Sequence, residues 1–242
     1  MQNAKHPLRI GIIAAMESEI KILRQALQTC QHTTIAQQHF YHGKLHGLEV
    51  VLLLSGIGKV NAAIGASLLI ECFTPSHIIN TGSAGGLLAE SLVGDVVISS
   101  TISHHDVDMT MFGYEYGQVA KMPVTFVADS HLVSIAEQVG KQQQHINIIK
   151  GMIVTGDSFI NSDDKQQLLR SRFPTAAAVE MEAAAIAQTC YQFDCPFIVI
   201  RSLSDIAGQE SDISFAQFLP LAAKNSSAMV MAMVDSLSSK AA

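Results

Sequence analysis

With 242 residues, 48% of them hydrophobic, the chain can bury one substantial core, and nothing in its composition divides it into two domains. A formal charge of −6, with no Lys/Arg stripe and no tryptophan, leaves no electrostatic footprint for a polyanionic backbone and so excludes nucleic acid as an expected partner. No apolar run is long enough to span a bilayer and the opening MQNAKHPL lacks the apolar stretch of a signal peptide, so a cytoplasmic protein with no membrane partner is expected, frayed at residues 1–7 and 238–242.

Short apolar runs such as IGII, VVLLL, HIIN and FIVIR, separated by Gly, Pro, Asn or polar turns, predict an α/β fold. Leu8 to Ile13 reads as a buried strand, and Met16-Glu17-Ser18-Glu19 then leads into a helix whose apolar face is Ile20, Leu23 and Leu27. Residues 35–45 and 48–54 read as strands joined at Gly47, and Gly56-Ile57-Gly58 hands the chain to a closely packed, alanine-rich helix ending near Cys72. His77 to Asn80 is a short core strand running into Thr81-Gly82-Ser83-Ala84-Gly85-Gly86, too rich in glycine for regular structure and a candidate for backbone contact with a ligand. Val93 to Ser99 is strand-like, whereas Thr101 to Met122 has poor periodicity and is expected to hold strand edges and a long loop.

Further on, a helix is expected over His131 to Gln142 and a strand over Ile146 to Thr155, followed by Gly156-Asp157-Ser158-Phe159-Ile160-Asn161 and a helix capped by Asp163 and stopped by Pro174. Ala178 to Met181 is a brief apolar strand, and Glu182 opens a helix to about Phe193. Pro196 to Leu203 is another buried strand, ending at Ser204-Asp205, and the last helix covers Phe215 to Leu237. Cys30, Cys72, Cys190 and Cys195 form neither a C-x-x-C pair nor a dense framework, and are expected to be reduced, mostly packed thiols.

Several motifs point away from familiar chemistries. Gly56-Ile57-Gly58-Lys59-Val60-Asn61 has Asn where a dinucleotide fingerprint needs its third glycine and Val where a phosphate loop needs Ser or Thr, so neither NAD nor ATP is expected. His104, His105, Asp106 and Asp108 alternate between strand faces with no second cluster to complete a shell, so polar packing is expected there, with no metal and no cofactor. Ser83 stands in T-G-S-A-G, which is no nucleophile elbow, and its hydroxyl is better suited to holding a ligand.

Glu19, Glu182 and Asp205 each fall at or just beyond the C-terminal end of a predicted strand, where ligands gather in α/β sheets. The competing reading of each is an exposed carboxylate at a helix start, interacting only with the helix dipole.

The ordered segments G-I-I-A-A-M-E-S-E at Gly11 to Glu19, S-G-I-G-K at Ser55 to Lys59, N-T-G-S-A-G-G at Asn80 to Gly86, G-D-S-F-I at Gly156 to Ile160, V-E-M-E at Val179 to Glu182 and R-S-L-S-D at Arg201 to Asp205 together resemble the bacterial 5'-methylthioadenosine/S-adenosylhomocysteine nucleosidases. The resemblance implies a single-domain phosphorylase/hydrolase-like fold, a central mixed twisted sheet flanked by helices. It also implies hydrolysis of 5'-methylthioadenosine, S-adenosylhomocysteine and 5'-deoxyadenosine to adenine and a ribose, in methionine salvage. In such enzymes the acid matching Glu19 activates water, that matching Glu182 binds ribose hydroxyls, and that matching Asp205 protonates adenine N7.

The same resemblance assigns Phe159 to stacking on adenine, the Ile160 backbone to its edge and Met181 to the sugar, with Ser83, Met16, Ile57, Ser204 and Arg201 as further pocket residues. Phe112 and Tyr114, in a loop with Gly113-Tyr114-Glu115-Tyr116-Gly117, resemble the wall for the 5' substituent, which a neighbouring subunit supplies, so a homodimer is implied. Val119-Ala120-Lys121-Met122 departs from the family there.

These assignments agree with elementary chemistry. Breaking an N-ribosidic bond puts positive charge on the sugar and negative charge on the purine, which favours anionic groups near the one and an acid near the other. Two competing functions share the fold. A phosphorylase needs basic groups for phosphate; in phosphate-using relatives an arginine precedes the glycine-serine segment, where this chain has Asn80. A noncatalytic adenosine-binding protein would not require the three acids.

Overall fold

The computed structural model describes residues 8–206 and 211–241, with side chains in the second stretch for 215–239. Its centre is a ten-stranded mixed sheet. β1 (Arg9–Ala14) lies between β4 (Leu48–Leu54) and β5 (His77–Gly86), all parallel. Ile10, Ile12 and Ile13 of β1 are all fully buried, as expected of a strand covered on both faces.

Beyond β5 the sheet closes on itself. β10 (Phe197–Ile206) pairs parallel with β5 and antiparallel with β6 (Val96–His104). From β6 the sheet continues through β8 (Ile148–Thr155) and β9 (Ala176–Glu180) back to β5, making a ring of five strands. On the open side β3 (Gln38–Leu45) and β2 (Gln28–Ile35) extend the sheet past β4, while the two-residue β7 (Phe126–Val127) pairs with β6.

Helices flank this sheet: α1 (Glu17–Ala26), α2 (Lys59–Phe73), α3 (Ser130–Gly140), α4 (Asp163–Arg172), α5 (Ala183–Gln192) and α6 (Ser211–Ala241). α6 packs on β10 and β5 and meets α1 and α3, while α5 packs on α2. No helix among the described residues is long and apolar enough to cross a membrane.

The fold departs from the sequence expectations at several points. The glycine-rich Thr81–Gly86 segment is regular strand, paired with β10 up to Gly86. Gly82 is there for close approach, since a Cβ on it would lie 2.5 Å from an Arg201 guanidinium nitrogen and 2.7 Å from Glu19 Oε1. β2 was not anticipated: it is an edge strand exposed along almost its whole length, and its sequence QTCQHTTI has no apolar alternation to betray it. The β2–β3 turn is Ala36-Gln37, both at positive φ, and neither is a residue that signals such a turn.

β6 runs on to His104 rather than ending at Ser99. Ser162, not Asp163, caps α4 by accepting from Lys165 N at 3.5 Å, and Asp163 supplies first-turn charge instead. α6 begins at Ser211 and reaches Ala241, longer at both ends than its periodicity indicated, while residues 1–7 lie outside the described part. All four cysteines are free, but Cys30 and Cys72 are exposed rather than packed, because they lie on the edge strand β2 and the outer side of α2.

Candidate active site

A cavity of about 440 Å³ opens where β1, β5, β9 and β10 deliver their ends, a volume in the range of small-molecule sites. Glu19, Glu182 and Asp205 all line it, and all are buried, at 1%, 4% and 1% exposure. That burial excludes the reading of three solvated helix-start carboxylates.

Glu19 sits in the first turn of α1, one turn past the end of β1. Its Oε2 accepts from the Ala15 and Met16 amides at 3.2 and 3.1 Å, closing the start of the helix, and its Oε1 accepts from Ser83 N at 2.8 Å and Ser83 Oγ at 2.9 Å. Four donors from two chain segments hold the carboxylate at one place on the cavity wall.

Glu182 is the N-cap residue of α5 yet makes no cap bond with its side chain. Glu180, two residues earlier, does that work by accepting from the amides of Glu182 and Ala183, each at 2.9 Å, and from Thr155 Oγ1. The Glu182 side chain is thereby free to face the cavity. There its Oε1 accepts from Gly58 N at 2.9 Å and its Oε2 from Arg201 at 3.4 Å. Burial and the neighbouring Glu180 charge push Glu182 up to about 8, against the pull of Arg201.

Arg201 is fully enclosed and serves several oxygens at once. Its Nη2 reaches Glu180 at 2.5 Å and Asn80 Oδ1 at 2.9 Å, and its Nη1 donates to the Ser83 carbonyl at 3.3 Å. Asp205, at the end of β10, accepts from Ser204 Oγ at 2.8 Å, and burial pushes its carboxyl up to about 6.

The apolar side of the cavity carries Met16, Ile57, Phe159, Ile160 and Met181, and Ser83 and Ser204 complete the anticipated set that lines it. Phe112 and Tyr114 do not line it; Phe112 is 71% exposed in the 3₁₀ turn Thr110–Phe112. Phe215, at the start of α6, does line it and packs edge-to-face on Phe159 with ring centroids 5.8 Å apart. Neither Phe215 nor Glu180 was singled out for the site. The signal for Glu180 was the acidic pair flanking Met181 in an apolar stretch, whereas Phe215 reaches the cavity only through the path of α6.

Residues 9–235 match the phosphorylase superfamily. The 5'-methylthioadenosine/S-adenosylhomocysteine nucleosidase of Geobacillus sp. (strain WCH70) is 55% identical over 230 residues, covering 95% of this chain and 99% of that protein. The chain belongs to the methylthioadenosine/adenosylhomocysteine nucleosidase family. The nucleosidase from Neisseria meningitidis, solved in complex with methylthio-immucillin-A, superposes with a TM-score of 0.93 at 45% identity, covering 94% of this chain and 99% of that one. The nucleosidase from Colwellia psychrerythraea 34H, solved with adenine, gives a TM-score of 0.92 at 46% identity, covering 95% of each chain. In this nucleosidase family member, no group of three or more His, Cys, Asp or Glu side chains among the described residues is arranged to hold a metal ion.

Proposed function

We propose that this protein hydrolyses the N-ribosidic bond of 5'-methylthioadenosine and S-adenosylhomocysteine, and of 5'-deoxyadenosine, releasing adenine and the 5-substituted ribose for methionine salvage. The observation that carries this reading is the convergence of Glu19, Glu182 and Asp205 in one apolar cavity. Membership of the nucleosidase family supports the substrate class.

Each acid has a distinct part. Asp205, held near its proton by burial, protonates adenine N7 as the bond lengthens, so the base leaves neutral. Glu182 accepts the ribose 2'- and 3'-hydroxyls and stabilises the developing oxocarbenium. Glu19 accepts a proton from the water that attacks C1', with Ser83 and the Ala15 and Met16 amides fixing its carboxylate. Phe159 stacks on the base, the Ile160 backbone meets its edge, Met181 underlies the sugar, and Met16, Ile57 and Ser204 complete the enclosure.

Water is favoured over phosphate by the charges around the attacking position. Arg201 is the only cationic side chain among the described cavity residues, and it is committed to Glu180, Glu182, Asn80 and Ser83. Phosphate at that end would face Glu19 with no uncommitted cation. Product analysis with 5'-methylthioadenosine decides the point: free adenine and methylthioribose are expected in phosphate-free buffer, whereas strict phosphate dependence with a sugar 1-phosphate product would overturn hydrolysis.

The two shifted acids set the pH dependence. Hydrolysis needs Asp205 protonated, with its value at about 6, and Glu182 ionised, with its value at about 8. Below about pH 6, kcat/KM is expected to rise roughly tenfold per unit as Glu182 ionises, and above about pH 8 to fall as steeply as Asp205 loses its proton. Between those limits the two dependences cancel, leaving a plateau on which the active protonation state is about one molecule in a hundred. A profile that keeps rising above pH 8 would contradict the assignment of Asp205 as the acid.

A second copy of the chain completes the 5' end of the site in this reading, which is also that of a cytoplasmic homodimer. Met111 and Phe112 are exposed in the 101–122 segment, and Val60 and Ile64 are exposed four residues apart on α2, next to Ile57 of the cavity. The Val119–Met122 departure lies in the same segment. Sedimentation of F112A and wild type, with KM for both thioethers, tests this. A monomeric wild type with a normal KM would remove the partner loop.

A further inference from the structure

The Gly56–Lys59 turn, which matched no phosphate loop, and His104-His105-Asp106, which matched no metal site, meet in space. Lys59 N donates to Asp157 Oδ1 at 2.8 Å, Asp157 N donates to Asp106 Oδ2 at 3.0 Å, and Lys59 Nζ closes onto Asp106 Oδ1 at 2.6 Å. Three hydrogen bonds thus form a ring through three chain segments: the start of α2, the exit of β6 and the exit of β8. The ion pair is shielded, with side-chain exposures of 20% for Lys59 and 29% for Asp106. Burial works against the Asp106 charge, yet the Lys59 ammonium and the Asp157 amide bring its carboxyl below the usual value.

Two of these segments continue directly into the cavity. Gly58, next to Lys59, gives its amide to Glu182 Oε1 at 2.9 Å. Asp157 precedes Phe159 and Ile160 in a loop that also lines the cavity. The two loops approach so closely that a Cβ on Gly58, which has φ of +95°, would stand 3.0 Å from Asp157 Oδ1.

We propose that Asp106 is a positioning residue for the nucleoside site: through Asp157 and Lys59 it holds the loop of Phe159 and Ile160 at a fixed distance from the Gly58 amide that orients Glu182. Asp106 touches no reacting atom. Its effect is on the span between the base subsite and the ribose subsite, which a nucleoside must bridge with both ends in contact. The assignment rests on the reading of these subsites as those for adenine and ribose. An ordinary surface ion pair at this place would contribute little and leave substrate affinity alone.

The test compares D106A, D106N, K59M and the D106A/K59M double variant, each measured for kcat and KM with 5'-methylthioadenosine, for adenine Kd, and for thermal midpoint. D106A is expected to raise KM and adenine Kd about tenfold with kcat within about threefold of wild type, because geometry for binding is lost while the reacting acids remain. D106N is expected to fall between, since its carbonyl can still accept from Asp157 N. The double variant is expected to be no worse than D106A, as the two residues act through one ring. KM and adenine Kd within twofold of wild type in D106A, or additive losses in the double variant, would overturn the role, and K59M carries the same test should D106A fold poorly. A wild type that binds adenine but does not hydrolyse the nucleoside would sink the proposed reaction, while the adenine affinities would still decide the role of Asp106.

Discussion

Replacing Asp205 with Asn is expected to lower kcat by about a hundredfold to ten-thousandfold while KM changes little, the usual range for losing a general acid. Asn keeps the shape and can still accept from Ser204, so the 2.8 Å bond that orients the group survives. What disappears is a proton able to move to N7. The departing adenine would then leave as an anion inside an apolar cavity, where an unneutralised charge is costly. Single-turnover kinetics with adenine release as the readout separates the chemical step from binding, and a D205N enzyme within tenfold of wild type would exclude Asp205 as the acid.

The second large effect concerns stability. Arg201→Met keeps much of the side-chain volume but removes the guanidinium from a site only 1% exposed, leaving Glu180 and Glu182 without their shared counter-ion and Asn80 Oδ1 without its donor. Breaking a buried pair from one side costs about 3–5 kcal/mol, more than the pair itself contributes, because the charge left behind cannot reach water. The pH dependence follows from Glu182, whose value Arg201 pulls down toward about 8. Without the guanidinium that carboxyl rises further, and the folded state holds the proton to higher pH. A raised carboxyl stabilises most at low pH and loses that contribution as pH climbs through its folded value. Wild type has exhausted this loss near pH 8, whereas R201M continues to lose, so its deficit should widen above pH 8. Thermal denaturation at pH 7 and pH 9 measures it, and a deficit that narrows at pH 9 would mean that Glu182 is not governed by Arg201.

Both expectations depend on groups that differ in how far local sequence exposes them. β1 was legible because Ile10, Ile12 and Ile13 form an unbroken apolar run, the pattern of a strand buried on both faces. β2 was not, because an exposed edge strand buries nothing on either face and its turn uses Ala36 and Gln37 at positive φ. The glycines of Thr81–Gly86 pointed to irregular backbone, yet the segment is strand, and at Gly82 Arg201 and Glu19 pass without room for a Cβ. Close approach and flexibility draw on the same residue, and only the neighbours across the gap distinguish them.

In the site the same division holds. The placement of Glu19, Glu182 and Asp205 just after apolar strands followed from a short-range pattern, and their family resemblance from ordered motifs. What those patterns do not contain is which acid keeps its proton. Glu180 and Glu182 are two residues apart, yet one takes the helix amides and most of Arg201 while the other is left facing the cavity. Phe215 was equally invisible, since it enters only because α6 brings its first turns back across Phe159.

Sequence by itself thus determined an α/β chain, the order of its main strands, the three acids at strand ends and the nucleosidase resemblance, all of which are recorded in the types and spacing of near neighbours. Tertiary structure decided the closure of β10 onto β5, the burial of the three acids, the sharing of Arg201 and the ring through Lys59, Asp106 and Asp157. Each of those depends on segments that are not near neighbours in the chain meeting in space, and for the acids and Arg201 distance and burial rather than residue type set the charge a group carries.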